Sequence, residues 1–580
     1  MSRCLYTSLL LLFCLTRAGF AQPPGDVLLH RGPFGQADTL RGTLDAARSC
    51  YDVQHYRLAI QLDLTQKRIA GDNTITFRLL QHTDSLRFDL FSGYTLRSVR
   101  LSDNALPYRR QGHAVFVALP DSCQPGHTYS LKIAYEGPPP IAQNPPWAGG
   151  LVWSQDSQGR PWASVACEGL GASSWWPCKD HLSDEPELGA DLYFEVPRDL
   201  YCVSNGILQS IVHQPGGATH TFHWQVHAPI NTYNLTFYLG HYVHRQQVYA
   251  GMRGPLVLDC YLLAGNAQQA TPLLEQAQHM LQCFEDKVGP YPFYTDGYAL
   301  VEAPYWGMEH QGAIAYGNSF RNNEWGWDYI LIHESGHEWF GNYISVADHA
   351  DLWVHESFTT YLESVFVECQ AGYGQAQAYL MSQRGEIQNA DAIQGPRGLN
   401  FDGWASSDPY YKGSWMLHSL RSAVNQDSLW WAYLRGLYHR FGLQQTSTEA
   451  VLDYTAGMLG QHHRPMLEHY LYYRALPHLV YALGDNQLYL RWQGVQPGFT
   501  MPVELRVGGT ACRYEAVGTA LQAHALPEGV DTGSVVELAN NRFLFTHQRM
   551  EPDQLQLRTA PIPRHTRRPT KYERRRTPRP

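Results

Sequence analysis

From Tyr56 the chain alternates, with Tyr56, Leu58, Ile60, Leu62 and Leu64 on one face and polar residues between them. Gly71-Asp72 reads as the turn, after which Ile75, Phe77 and Leu79 resume the same period. A period of two places every second side chain on one side of a pleated strand, so this is antiparallel β-structure with one buried face. Short strands separated by Gly, Pro and Asn continue to about residue 250, which predicts an all-β unit over 45–250.

The period then changes. ATPLLEQAQHMLQCFEDKVG (270–289) has helical spacing, DGYALVEAP (296–304) reads as one strand, and HESFTTYLESVFVECQAGYG (355–374) is helical again. WMLHSLRSAV and DSLWWAYLRGLYHRF extend this to about residue 472. The spacing predicts a mostly helical unit with a small sheet over 251–475. Alternation returns at Leu488, Leu490 and Trp492 and at Val503, Leu505 and Val507, which predicts a β-sandwich over 478–558. The fold class is therefore multidomain α+β, with β, helical and β units in that order. A chain of 580 residues is too long for one core, which agrees.

The two ends differ from the middle. Arg3, the apolar run Leu9 to Leu15, and Gly19-Phe20-Ala21 form a secretory leader over 1–21, cleaved before Gln22. Export to the periplasm or the medium is the consequence, and no other run approaches the 18 apolar residues of a membrane span. RHTRRPTKYERRRTPRP carries a net +7 against −9 for the whole chain, leaving −16 for the remainder. Such a basic, Pro-rich tail over 559–580 reads as disordered and solvated. An acidic body gives no reason to expect nucleic acid as a partner. Removing Cys4 and Cys14 with the leader leaves nine cysteines, none in a C-x-x-C pair, so one or two disulfides are expected without a deducible pairing.

LIHESGHEWFGNY (331–343) sets His333, Glu334 and His337 in H-E-x-x-H spacing. With 27 histidines in the chain the motif arises by chance in about one chain of this length in fifteen, so it needs support. Four residues of helix turn the chain by about 400°, which brings both imidazoles to one face, one turn apart. A catalytic zinc takes three protein ligands and keeps one position open. Phe340 and Tyr343 stand where a third histidine and its spacing would require Gly and His, which excludes that class. Glu356, after 18 intervening residues in WVHESFTTYLE, supplies a carboxylate at the start of a helix. Glu363 shares its face and is a weaker candidate, and the nearby His349 and His355 suit local packing better.

H-E-x-x-H followed by this glutamate within W-x-x-E-x-F resembles the gluzincin aminopeptidases, the family of aminopeptidase N and the leukotriene-hydrolysing aminopeptidases. HEWFGN continues the resemblance, with Glu338 where Gln is usual. WGMEHQGAIAYGN resembles the family's G-x-M-E-N exopeptidase motif: Gly307, Met308 and Glu309 match, while Trp306 and His310 depart. CEGLGASSWWPCKD resembles the segment ending in PC-x-D, with Glu168 in the amine-holding position and the usual Ala-Arg absent. PYYKG resembles Y-x-K-G, with Tyr410 in the catalytic position.

The resemblance spans about residues 50–510. It implies a thermolysin-like catalytic unit, one zinc on His333, His337 and Glu356, and peptides with a free N-terminus as substrates. It assigns Glu334 as general base, Tyr410 as the oxyanion donor, and Glu309, Glu168 and their neighbours Gly307, Met308 and His310 to substrate binding. Many relatives end in a long helical domain where this sequence reads as β, which implies a more open cleft. A zinc endopeptidase, a silent binding protein on the same fold, and epoxide hydrolysis as a second activity are the competing readings.

Overall fold

The computed structural model describes residues 34–401 and 403–557, so the expected leader and basic tail lie outside the described residues. The first unit is built on an eight-stranded sheet. Strand β1 (Tyr51–Asp63) lies between β2 (Arg68–Leu79), antiparallel with Tyr56 opposite Ile75, and β3 (Ala190–Pro197), parallel with Leu58 opposite Leu192. Tyr56, Leu58, Ile60 and Leu62 are buried as their alternation requires. Each such side chain stabilises the fold by about 1.5–3 kcal/mol.

The turn between β1 and β2 is not at Gly71-Asp72. It spans residues 64–67, with Lys67 at φ 53°, and Gly71 sits inside β2 opposite Ile60. A Cβ at Gly71 would come within 2.9 Å of Ile60 Cδ1 and of the Tyr135 ring, so the glycine makes room for packing rather than for a turn.

The second unit carries a five-stranded sheet in the order β4-β5-β6-β8-β7, from β4 (Tyr242–Gly251), β5 (Gly254–Leu263), β6 (Tyr298–Glu302), β7 (Gly307–Met308) and β8 (Ile314–Tyr316). The boundary expected at 250 therefore moves upstream. Residue 250 lies inside the β4–β5 hairpin, and β5 pairs in parallel with β6 of the helical unit. A hairpin strand alternates as the preceding strands do, so periodicity cannot show which sheet it joins.

The helices that matter are α1 (Ala270–Lys287), α2 (Tyr329–Gly336), α3 (Trp353–Ala371), α4 (Asp408–Val424) and α5 (Arg464–Tyr472). Helix α3 is buried continuously from Trp353 to Val367, including Glu356 and Glu363, and ends at Gly372 with φ 84°. A helix buried on all sides is a central one, and its carboxylates need partners. A disulfide, Cys283–Cys369, ties α1 to the last turn of α3. Helix α4 approaches α3 so closely that a Cβ at Gly413 would lie 1.8 Å from Ser357 Oγ.

The third unit has a four-stranded and a three-stranded sheet, as the returning alternation predicts. It is fastened to the helices by polar contacts. Arg384 donates to the carbonyls of Asn540, Phe543 and Phe545, and Ser419 Oγ accepts from Leu544 N at 3.0 Å.

Candidate functional site

Asp328 caps α2, accepting from Leu331 N at 3.2 Å, and the helix runs directly into the site. His337 sits at its C-terminal end with φ −62° and donates its backbone N–H to His333 O at 3.3 Å, which keeps the two rings one turn apart. Helix α3 crosses with Glu356 in its first turn. His333 Nε2 and His337 Nε2 are 3.3 Å apart, and Glu356 Oε2 lies 3.6 and 3.5 Å from them.

These spacings test for a metal. Ligand bonds of ~2.0–2.1 Å at tetrahedral angles put donor atoms about 3.3–3.4 Å apart, close to the observed triangle. Glu356 Oε2 is buried with no hydrogen-bond partner, as a metal-directed oxygen should be. Among the described residues this is the group of His, Cys, Asp and Glu side chains whose donor atoms could hold one ion. The donor set fits zinc.

The charge balance agrees. Glu309, Glu334, Glu356 and Glu363 are all at least nine-tenths buried around two imidazoles. Burial pushes the Glu334 carboxyl up to about 8, against the attraction of His333 and with the help of Glu309 and Glu356. Burial and then Glu356 push Glu309 up to about 7. Burial pulls the His337 ring down to about 4. Burial pulls on His333 too, but Glu356 and Glu363 outweigh it and raise that ring. Several buried carboxylates crowded together are the environment a divalent cation relieves.

Around the triangle stand groups that orient it. His333 Nδ1 contacts Glu363 Oε1 at 2.7 Å, and Glu363 Oε2 accepts from Tyr379 Oη at 2.5 Å and Gln383 Nε2 at 2.9 Å. Glu363 is thus the orienting carboxylate behind a ligand rather than a third ligand. His337 Nδ1 faces the Phe340 carbonyl at 2.9 Å. His355 is fully buried and neither of its ring nitrogens has a hydrogen-bond partner, so it packs behind the triad without joining it.

The structure sets some of the other sequence-derived residues beside this triangle. Gly307 rests against Glu334: a Cβ there would be 2.4 Å from Glu334 Oε1, so only glycine leaves room for the carboxylate. Two residues on, Glu309 Oε1 accepts from Tyr233 Oη at 3.0 Å. Met308, between them, is buried and pairs with Ala315 in the sheet. His310 Nδ1 lies 2.7 Å from Tyr238 Oη of the β unit, and burial pulls the ring down to about 3, a neutral ring. Glu168 reaches the site from the β unit, where its charge acts on both Tyr233 and Tyr410.

Tyr410 is in the first turn of α4, with its ring 6.0 Å from that of His333 and tilted by 26°. Burial, followed by the charges of Glu356, Glu168, Glu309 and Glu334, holds its phenol well above 10 and therefore protonated. The rest of PYYKG is scaffold. Lys412 Nζ donates to the carbonyls of Tyr473 and Arg474 at 2.8 and 2.9 Å, and Gly413 allows the contact with Ser357, whose Oγ donates to Pro409 O at 2.6 Å. Tyr233, Tyr379 and Gln383 carry no local motif, and sequence reading missed them. A separate cavity of about 490 Å³ between α4 and the third unit is lined by Arg421 and Arg542, both already paired with carboxylates, and is distant from this chemistry.

Comparison with known proteins agrees with this geometry. Residues 52–234 match the peptidase M1 N-terminal domain and residues 273–470 the peptidase family M1 domain. A leukotriene A-4 hydrolase from Xenopus laevis is 21% identical over 426 residues, covering 69% of this chain and 67% of its own. A leucine aminopeptidase 2 from Vanderwaltozyma polyspora is 22% identical over 433 residues, covering 70% of this chain and 62% of its own. The chain thus spans about two-thirds of the length of these relatives or less. A crystal structure of an M1 zinc metallopeptidase from Deinococcus radiodurans, bound to a Tyr-Ser-Ala substrate, superposes with a TM-score of 0.64 at 24% identity, covering 74% of this chain and 96% of that one. With both domain models matched in order and the His-His-Glu triangle in place, the chain belongs to peptidase family M1.

Proposed function

We propose that the protein is a zinc-dependent aminopeptidase that hydrolyses the first peptide bond of peptides with a free N-terminus. The observation that carries this reading is the placement of a buried carboxylate, Glu309, two residues from the glycine that seats Glu334. One group can hold an ammonium while the other works on the bond beside it.

His333, His337 and Glu356 would hold the zinc, which when bound would supply a Lewis acid for the scissile carbonyl and for the attacking water. Glu334 accepts the proton of the attacking water and passes it to the leaving nitrogen. Tyr410, kept protonated by burial and by the carboxylates around it, donates to the oxygen that develops negative charge. Glu309 and Glu168 take the α-ammonium, since a charged amine in a closed cleft needs opposite charge and acceptors. Tyr233 fixes the Glu309 carboxylate, and His310 and Met308 shape the wall behind it. Fixing the amine fixes which bond meets Glu334, which is the basis of exopeptidase action.

The same reading places the mature chain outside the cytoplasm, on the leader at 1–21; no helix among the described residues is long and apolar enough to cross a membrane. N-terminal sequencing of the exported protein should begin at Gln22.

The reaction is tested with leucine amide and short peptides, with and without a chelator, in the parent chain and in Glu334→Gln. Hydrolysis is expected to vanish with chelator, return with zinc, and fall at least about a thousandfold in the variant. Full activity in Glu334→Gln would overturn the assignment.

A further inference from the structure

Two points fix the direction in which a substrate lies, given the proposed aminopeptidase reaction. The α-ammonium is at Glu309, and the scissile bond is at Glu334, against Gly307. Strand β7, which carries Gly307 and ends one residue before Glu309, is the edge of its sheet, the position at which an extended peptide can be added. The peptide therefore runs from Glu309 toward Gly307, and its residues beyond the scissile bond continue past Trp306, at about 3.3 Å per residue.

At that position the structure holds a run of aromatic rings. Tyr329 stacks on His333 at 5.5 Å, Trp306 stacks on Tyr329 at 5.6 Å, and Trp147 of the β unit lies 5.9 Å beyond Trp306. Trp306 Nε1 donates to Asn318 Oδ1 at 3.2 Å, which sets the plane of the ring. None of the three is fully covered, and Trp147 is 36% exposed. Core aromatics are closed over, whereas these form a partly open apolar wall that starts at a metal ligand and ends at the other unit.

We infer that Trp147, Trp306 and Tyr329 form a specificity subsite for the side chain immediately after the cleaved bond, and that it takes apolar and above all aromatic residues. The enzyme is thus selective for the second residue of its substrate. The ring face offers stacking to a planar side chain and nothing to pair a carboxylate, so Asp in the second position is disfavoured.

The test compares Ala-Phe-amide, Ala-Leu-amide, Ala-Gly-amide and Ala-Asp-amide by kcat/KM in the zinc-loaded protein, in Trp306→Gly, in Trp306→Phe and in Trp147→Ala. The parent should prefer Phe over Gly by at least about tenfold, the discrimination expected of a hydrophobic subsite. Trp306→Gly and Trp147→Ala should each cut that ratio severalfold, and Trp306→Phe should retain most of it. Because the inference rests on the proposed reaction, binding is measured separately, from tryptophan fluorescence of zinc-loaded Glu334→Gln titrated with Ala-Phe-amide and Ala-Gly-amide. Failure of all four peptides to be cleaved would overturn the reaction while the binding ratio still decides the subsite. A Phe-to-Gly binding ratio near one, or a ratio unchanged in both Trp306→Gly and Trp147→Ala, would overturn the subsite.

Discussion

Glu363→Gln is the substitution that most cleanly separates holding a metal from holding a fold. In the parent, Glu363 Oε1 faces His333 Nδ1 at 2.7 Å, and Oε2 accepts from Tyr379 and Gln383. Glutamine keeps the shape and one carbonyl oxygen, which can still face His333. Its amide nitrogen then meets the hydroxyl of Tyr379, which can rotate to accept, and the amide of Gln383, which can accept only by flipping and turning its Nε2 to the side where Oε1 has no partner. The variant loses the negative charge behind the ligand and leaves one buried donor unpaired, the latter at a cost of about 1–3 kcal/mol. That cost is partly offset, because a neutral amide is cheaper to bury than a carboxylate. The metal-free protein should therefore melt close to the parent. Zinc affinity is a different matter: losing such an orienting carboxylate lowers it about 10–100-fold, or about 1.4–2.7 kcal/mol. At fixed free zinc the same amount disappears from the stabilisation that zinc confers. Chelator competition gives the affinity, and melting with and without zinc gives the linked stability. Affinity within twofold of the parent, with His333 unperturbed, would refute the argument that Glu363 orients the ligand.

Gly413→Ala should destabilise by about 1–3 kcal/mol and lower activity, because α4 must move off α3 and carry Tyr410 with it; Ser357→Gly should restore both, read by melting and kcat. Glu185 is buried, accepts from Ser345 Oγ at 2.5 Å, and burial pushes its carboxyl up to about 7. A raised acid binds its proton more tightly when folded, so its contribution is favourable at low pH and is lost as pH climbs from about 4.5 through 7. Glu185→Gln should therefore stabilise the protein at pH 8 relative to the parent, by on the order of 3 kcal/mol at most, and much less at pH 4; an equal effect at both would contradict the burial argument. Replacing Cys283 and Cys369 with serine opens a loop with a sequence separation of 86 and should cost at most about 4–5 kcal/mol, seen as a lower melting temperature that reductant also produces in the parent.

How much of the fold and site was legible in the sequence depends on whether a residue's partner is near in the chain. His333 and His337 share a helix turn, and Glu356 begins a helix at a fixed distance, so local periodicity sufficed. Glu363 was legible as a face-mate of Glu356, but its role depends on Tyr379 and Gln383 from the next helix. Tyr410 was found through PYYKG, yet the reason for Lys412 and Gly413 became visible only when α4 met α3 and the end of α5. Tyr233 and Trp147 come from another unit with no motif around them. The expected boundary at 250 split the β4–β5 hairpin and left β4 with the first unit, because alternation reports burial, not which sheet buries the strand. The Cys283–Cys369 pairing had no sequence signal at all.

The most direct test of the account is the ratio of kcat/KM for Leu-Ala-amide to that for its N-acetyl form, measured in the zinc-loaded parent and in Glu309→Gln. The account predicts a ratio above about a hundred in the parent, collapsing by at least tenfold in the variant through loss of the free-amine substrate alone. Equal cleavage of the acetylated peptide by the parent would contradict it and identify an endopeptidase on the same zinc site.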